Sequence, residues 1–465
     1  MSRQQHSPFL RVLLALIAVL FIADVIVIGL CLKTPGSAKT SQKPSTSQGD
    51  SGTDTPTGST EETPTEALPE LSSTATVLST GDMLMHIGVI NSGKQEDGSY
   101  NFDSIFRYVQ SYTQAADFSV ANLETTLCGT DNGYGYSGNP RFNCPDAIVD
   151  SLKSAGFDML LTANNHANDT ELVGMKRTLT VVREKGLDTL GTYLSADERK
   201  WTIEEVNGIK IGMICYTYSD GFNPSGAPVL NFHEVTENGI LNYFTYDKLP
   251  EFYTELGGYL EEMKAAGAEA TMVYLHWGDE YKWKTGEGPN TNQTAMAQKL
   301  CDMGVDVIVG GHPHVVQPAD LLQSATDPDH KTVILYSMGN AVSNQRIAEM
   351  QRSEPTGHTE DGVLFCVTFS KYTDGSVYVD SAELIPTWVN MNSNTGKTEY
   401  NIVPLEERLA SQWQTQYGLT DSQLTSAKAS FDRTREIVST GMDKISTYLS
   451  QQKAARDNVS LDEAA

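Results

Sequence analysis

The chain has 465 residues, room for one large domain with appendages or for two average domains. Its 33 Lys and Arg against 59 Asp and Glu give a net charge of −26, and such a surface repels phosphate backbones and anionic headgroups. That argues against nucleic-acid binding and against peripheral attachment to an acidic membrane. A polyanionic substrate would need a site whose potential is reversed by bound cations or by a few Arg and Lys side chains.

Residues 12–32, VLLALIAVLFIADVIVIGLCL, are apolar apart from Asp24, and about 20 such residues span a hydrocarbon core. Arg3 and Arg11 precede the run and no basic cluster follows it, so residues 1–11 are expected in the cytoplasm and the rest of the chain outside. The run is longer than a signal-peptide core and lacks a small-x-small cleavage site, which predicts an uncleaved single-pass anchor in the cell membrane. Leu30 stands where a lipobox before Cys31 needs a small residue, so a lipoprotein is not expected. Asp24 is either a contact for a membrane partner or a neutral carboxyl.

Residues 33–72 are rich in Ser, Thr, Pro, Gly and Glu and read as a disordered linker. From residue 73 short apolar runs alternate with helical patterns. ATVLST, ADFSVAN, FDMLLTAN, IKIGMICYTY, EATMVYLHW, VDVIVGG and KTVILYS read as strands, several buried on both faces. FDSIFRYVQSY, PDAIVDSLKSAG, VGMKRTLTVVREKG and LPEFYTELGGYLEEMKAAG read as helices, the last three ending on Gly. The alternation predicts an α/β fold with largely parallel central strands. VLFCVTFSKYTDGSVYVDSAEL reads as a hairpin turning at Asp374 and Gly375. The domain is placed at residues 73–400, and residues 401–465 read as a helical extension. Of the six cysteines, Cys215, Cys301 and Cys366 sit in apolar or amphipathic runs and read as core thiols. Cys128 and Cys144 lie in a Gly- and Asn-rich loop where an oxidising setting would permit pairing.

Ligands of an open α/β sheet bind beyond the carboxyl ends of its strands, and polar residues collect there. Asp82 and His86 follow the first strand, Asn122 and Glu124 the second, and Asn165, His166 and Asp169 the third. His276 follows the fifth, His312 and His314 the sixth, and Asn340 the seventh. Singly each has an ordinary explanation: Asp82 as a helix cap, Asn165 and His166 as turn formers, His276 as a satisfied core histidine. His312-x-His314 is harder to dismiss, because alternation along an extended segment stiffened by Pro313 would put both rings on one side. Together these carboxylates, amides and imidazoles form an N/O donor set suited to Mn, Zn or Fe, with the capacity of a dinuclear centre.

ANLETTL, TANNHANDT, HWGDEY, GGHPHVVQP and YSMGN, in that order, resemble the poly-γ-glutamate capsule biosynthesis (CapA) family, a branch of the calcineurin-like metallophosphoesterase superfamily. The resemblance implies a two-sheet α/β sandwich flanked by helices, with two divalent metal ions at the strand ends. By the same resemblance Asp82, His86 and His314 would hold one metal, and Asn165, His276 and His312 the other. Glu124 would replace the superfamily's bridging Asp, and His166, supported by Asp169, would be the general acid. The spacing of Asp82 and His86 departs from the superfamily's Asp-x-His, and GNAVSN lacks the aromatic that the family carries after GN.

The function implied is metal-dependent hydrolysis in the making, export or anchoring of an anionic poly-γ-glutamate-type polymer, or of a phosphoester, at the outer membrane face. Asn122, Arg141, Lys282 and Asn340 are candidate substrate contacts. The alternative is a non-catalytic polymer-binding component that retains the fold and associates with a membrane synthase or export complex.

Overall fold

In the apolar runs, odd and even residues face different cores, which is why those runs show so little polar alternation. The computed structural model describes residues 69–221, 226–284, 286–393 and 396–456. In chain order its strands are β1 (Leu71–Met83), β2 (Phe118–Asn122), β3 (Met159–Leu161), β4 (Asp188–Leu190), β5 (Thr202–Val206), β6 (Ile209–Tyr218), β7 (Val229–Leu230), β8 (His233–Glu234) and β9 (Tyr243–Phe244). They continue as β10 (Ala270–His276), β11 (Val307–Gly311), β12 (Ala319–Gln323), β13 (Lys331–Leu335), β14 (Asn340–Val342), β15 (Asp361–Tyr372), β16 (Val377–Asn392) and β17 (Glu399–Pro404).

An eight-stranded sheet runs β17-β16-β15-β1-β2-β3-β4, with β14 also pairing β1. Its β1 to β4 pair in parallel and β15 to β17 extend it antiparallel. A seven-stranded sheet runs β12-β13-β11-β10-β6-β5, with β9 beside β6. Here β6, β10, β11 and β13 are parallel, and β5 and β12 are antiparallel edges. The parallel core expected from the sequence is therefore divided between two sheets.

The sheets pack face to face. Val77, Val120 and Met159 of one meet Met213, Met272 and Val307 of the other in a shared core. The intervening residues face outward: Leu78 packs beneath the helix Ala147–Ala155, and Val273 and Ile308 beneath the helices Leu249–Ala265 and Thr291–Asp302. This alternation between two dry faces is the packing that continuous apolar strands require.

The expected hairpin is present, with Gly375 at φ 87° in the turn between β15 and β16. FDSIFRYVQSY folds as two single turns, Asp103–Phe106 and Gln110–Thr113, rather than one helix. The strand β17 crosses the expected boundary at 400/401 and belongs to the eight-stranded sheet. The helical extension begins in earnest only at Asp421–Arg456, after a short helix Trp413–Tyr417. That last helix places Val438, Ile445 and Leu449 in the core between the sheets. Lys444 pairs with Asp320 of β12 at 2.7 Å, and Arg433 grips Asp361 of β15 through bonds of 2.8 and 2.7 Å, so the helix ties both sheets together.

Cys128 and Cys144 are both buried free thiols, so the loop pairing that the sequence permits is not formed. The expected membrane span at residues 12–32 and most of the 33–72 linker lie outside the described residues, although β1 already begins at Leu71. Among the described residues no helix is long and apolar enough to cross a membrane.

Candidate metal centre

Parallel strands of both sheets direct their carboxyl ends to one place. Asp82 lies at the end of β1, Asn122 ends β2 and Glu124 follows it, and Asn165 and His166 follow β3. From the other sheet, His276 ends β10, and His312 and His314 follow β11. Asp82, Glu124, His276, His312 and His314 are all buried.

Their donor atoms form three groups in which every atom lies within 4.8 Å of the others: Glu124, His276 and His312; Asp82, Glu124 and His314; and Glu280, His312 and His314. Glu124 is common to the first two. Its Oε1 sits 3.4 Å from His276 Nε2 and 3.9 Å from His314 Nε2, and has no hydrogen-bond partner. His312 Nδ1 likewise lacks a hydrogen bond, and His314 Nδ1 has only the Asp82 carboxylate beside it, 3.3 Å away. Buried polar atoms are ordinarily satisfied, so a convergence of unsatisfied carboxylate and imidazole atoms fits a cation that is bound between them. The donors are oxygen and nitrogen only, which suits Mn, Zn or Fe.

The electrostatics agree with the geometry. Burial alone would raise the Asp82 carboxyl, but the His314 bond and the charges of His276 and His314, with Asn122, hold it below its ordinary value. Burial, with the neighbouring His276, His314 and His166, pushes His312 well below the usual imidazole range. His314 goes the other way: burial would lower it, but Glu124, Asp82 and Glu280 outweigh burial and raise it to about 9.

His312 and His314 adopt positive φ, 96° and 56°, on either side of Pro313. The segment is a bend rather than the extended stretch expected from alternation, and the rings converge at 5.9 Å through this left-handed backbone. Non-glycine residues in this region are strained, and such strain persists where surrounding structure fixes it. Here the Asp82 carboxylate accepts the His312 N–H at 3.0 Å, and Asn340 donates to the His314 carbonyl at 3.2 Å.

The other expected residues fall in distinct places. Asn165 joins the cluster, its Oδ1 2.8 Å from His276 Nε2. His86 stands outside the three groups. β1 ends at Met83, and His86 caps the next helix, Ile87–Gly93, with its Nδ1 3.3 Å from the Leu84 carbonyl and 3.2 Å from the Asn344 N–H. Asn122 is buried and donates to Asp82 at 2.7 Å, and Asn340 is buried, its Nδ2 donating to the His314 carbonyl, Gln345 and the Thr359 carbonyl while its Oδ1 has no partner among the described residues. Lys282 lies 3.8 Å from Glu287, with both side chains about half exposed, outside the cleft at His166. That cleft, about 510 Å³, is lined by Arg141, Asn165, His166 and Glu280 among others. A cavity of about 630 Å³ between the C-terminal helix and β16 contains none of the candidate ligands.

His166 Nδ1 is 2.7 Å from Asp169 Oδ2, and the same oxygen accepts the Phe142 N–H at 2.6 Å. An ionised Asp169 therefore fixes Nδ1 as the donor and leaves Nε2 for the cleft. Glu280, Asn231 and Asn164 were not singled out from the sequence. Asn164 donates to Asn122 and to the Leu123 carbonyl, and accepts the His166 N–H at 3.1 Å. The Glu280 signal was present in HWGDEY, four residues after His276; Asn231 reaches the site through a distant ribbon that no local pattern marks.

A family model described as "Bacterial capsule synthesis protein PGA_cap" matches residues 76–345. The PGA biosynthesis protein CapA of Bacillus subtilis (strain 168) is 31% identical over 245 residues, 52% of this chain and 57% of that protein. The capsule biosynthesis protein CapA of Bacillus anthracis is 29% identical over 273 residues, 58% of this chain and 60% of that one. The chain thus spans less than two thirds of the length of these relatives. Among solved structures, the calcineurin-like phosphoesterase YfkN from Bacillus subtilis aligns with a TM-score of 0.38 and 14% identity, over 76% of this chain and 99% of that one. The family match covers more than half of the chain and every candidate ligand from Asp82 to His314, so the chain belongs to the bacterial capsule synthesis protein (PGA_cap) family.

Proposed function

We propose that this protein is a metal-dependent hydrolase acting in the synthesis, export or anchoring of a poly-γ-glutamate-type capsule polymer. The observation that carries this is the shared position of Glu124, whose unpartnered Oε1 lies between His276 and His314 in two overlapping donor groups. One metal would be held by Asp82, Glu124 and His314, and the other by Glu124, His276, His312 and Asn165. Two divalent ions supply Lewis acidity toward a phosphoryl or carbonyl oxygen and toward water.

The chain's own residues do the rest. Asp169 orients His166 and stabilises its imidazolium, so that Nε2 can pass a proton to the leaving group on the cleft side. Asn122 and Asn340 keep the carboxylates and the His312–His314 bend in place. The hydrolase is anchored by residues 12–32 and works on the outer face of the membrane, where an associated synthase or exporter would deliver the polymer.

The test is turnover of a γ-linked glutamate oligomer and of bis(p-nitrophenyl) phosphate by the full chain loaded with Mn or Zn. Cleavage of either is the expected result, with His166→Ala, metal retained, abolishing cleavage of the oligomer and slowing the diester less, because p-nitrophenolate leaves without a proton. No turnover of either by the metal-loaded chain would leave the second reading, a non-catalytic polymer-binding component. The position of His86 outside the donor groups favours that reading.

A further inference from the structure

The cleft beside His166 has a wall that the chemistry above does not use. The ribbon formed by β7 and β8 turns at Asn231 and Phe232, with φ of 44° and 70°. Two consecutive positive φ values are the geometry of a type I′ turn, whose second position normally belongs to glycine. A phenylalanine there is strained, and it is also 96% exposed. Among the described residues no packing accounts for the exposed ring.

The turn is nevertheless firmly built. Backbone groups of Asn231 and Phe232 hydrogen-bond the Asp220 carboxylate. The Asn231 side chain accepts from Asn165 at 3.2 Å, and its amide nitrogen lies 3.4 Å from His166 Nε2, to which it can donate while Nδ1 is engaged by Asp169. The strained turn is thus wired to a candidate metal ligand and to the proton donor, which puts the Phe232 ring at the cleft mouth.

Facing it is Arg141. Its guanidinium lies 3.5 Å from His233 Nε2 and 5.7 Å from the Tyr134 ring, and among the described residues no carboxylate pairs with it. In a chain with 59 acidic and 33 basic residues, a guanidinium without a carboxylate in a cleft is a free anion receptor. Its backbone is rigid: Ser137 Oγ donates to the Arg141 carbonyl at 2.6 Å, and the adjacent Phe142 N–H is held by Asp169. Through one oxygen Asp169 therefore holds both the His166 ring and the backbone N–H of the residue after Arg141.

Resting on the hydrolase reading, we propose that Arg141, supported by His233, binds an oxyanion group borne by the substrate chain, while Phe232 covers the aliphatic stem that carries it. The ligand class is a chain that bears oxyanion groups beside apolar stretches, matching the guanidinium and the exposed ring at one cleft. The oxyanion is a carboxylate or a phosphate, and the guanidinium would receive either.

The experiment measures binding of three probes to the metal-loaded full chain: a γ-linked glutamate oligomer, its methyl ester, and a polyphosphate of similar length. Arg141→Ala is expected to weaken the charged probe by about tenfold or more, as loss of a charge-assisted hydrogen bond does. Arg141→Lys is expected to recover part of that loss, and Phe232→Ala to weaken the oligomer by about threefold or more, as loss of apolar contact does. Preference for the oligomer over polyphosphate would identify the oxyanion as a carboxylate, whereas the reverse preference, for a chain without an aliphatic stem, would overturn the role given to Phe232. Equal binding of oligomer and ester, unchanged binding in Arg141→Ala at wild-type metal content, or no binding of either charged probe would overturn the proposal. Binding is read without turnover, so the hydrolase reading stands or falls separately, on cleavage.

Discussion

Gly311 lies against Asp82 so closely that a Cβ at residue 311 would sit 2.8 Å from Asp82 Oδ1. The close approach lets the end of β11 bring His312 and His314 from one sheet to the carboxylate of the other. Gly311→Ala must push this carboxylate or the bend aside. The variant should fold, with its far-ultraviolet circular dichroism unchanged, and should lose most of its bound metal. Wild-type metal content in the variant would mean that the two sheets need not approach so closely.

Asp169 binds His166 Nδ1 and the Phe142 N–H through one oxygen. Asp169→Asn can still accept from Phe142, but it no longer stabilises an imidazolium. Metal content should stay at the wild-type level while kcat falls by about 100-fold or more, the usual scale of general-acid catalysis. The loss should be smaller for substrates with acidic leaving groups, which need no proton. Equal losses for good and poor leaving groups would remove His166 from the proton-transfer step.

The C-terminal helix meets β12 at Gly441, where a Cβ would sit 1.7 Å from the Ala319 carbonyl oxygen. Helix propensity favours Gly441→Ala by about 1 kcal/mol. The clash favours the opposite sign, since forcing an extra carbon into a packed contact costs about 1–3 kcal/mol. Urea denaturation should show Gly441→Ala to be destabilised, and a stabilised variant would show that the helix is not seated on β12.

His358 stacks on Trp283 with ring centroids 3.6 Å apart, and burial, followed by the Arg433 charge, lowers its pKa from 6.5 to about 4. Between those values the unfolded chain binds a proton that the native chain does not. The contribution is complete above pH 6.5 and is lost as pH falls toward about 4. His314, raised to about 9, acts oppositely in the metal-free chain: its contribution is present below 6.5 and lost as pH rises through 9. With chelator present, the urea midpoint should fall between pH 6.5 and 4 less steeply in His358→Gln than in wild type. Parallel profiles would show that His358 is not held neutral.

The strands and the site were legible because their signals are local. VDVIVGG followed by HPH states both a doubly buried strand and two imidazoles at its end. The division into two sheets was not readable from periodicity, because a strand buried by helices and one buried by a second sheet carry the same apolar run. It came only with the family resemblance. His86 shows the converse limit: the resemblance implied a ligand role beside Asp82, but β1 ends at Met83 and His86 stands at the N-cap of the helix Ile87–Gly93, outside the three donor groups. Asn231 and Phe232 could not be found at all, since their effect depends on a turn that folds back over His166 from more than sixty residues away.

The central claim is a dinuclear centre built around Glu124, and elemental analysis of the full chain, purified without chelator or added metal, tests it most directly. The account predicts about two Mn, Zn or Fe ions per chain, as in two-metal hydrolytic sites, with loss in His312→Ala, His314→Ala and Glu124→Ala. No bound metal in the wild-type chain, even after reconstitution with Mn or Zn, would contradict it.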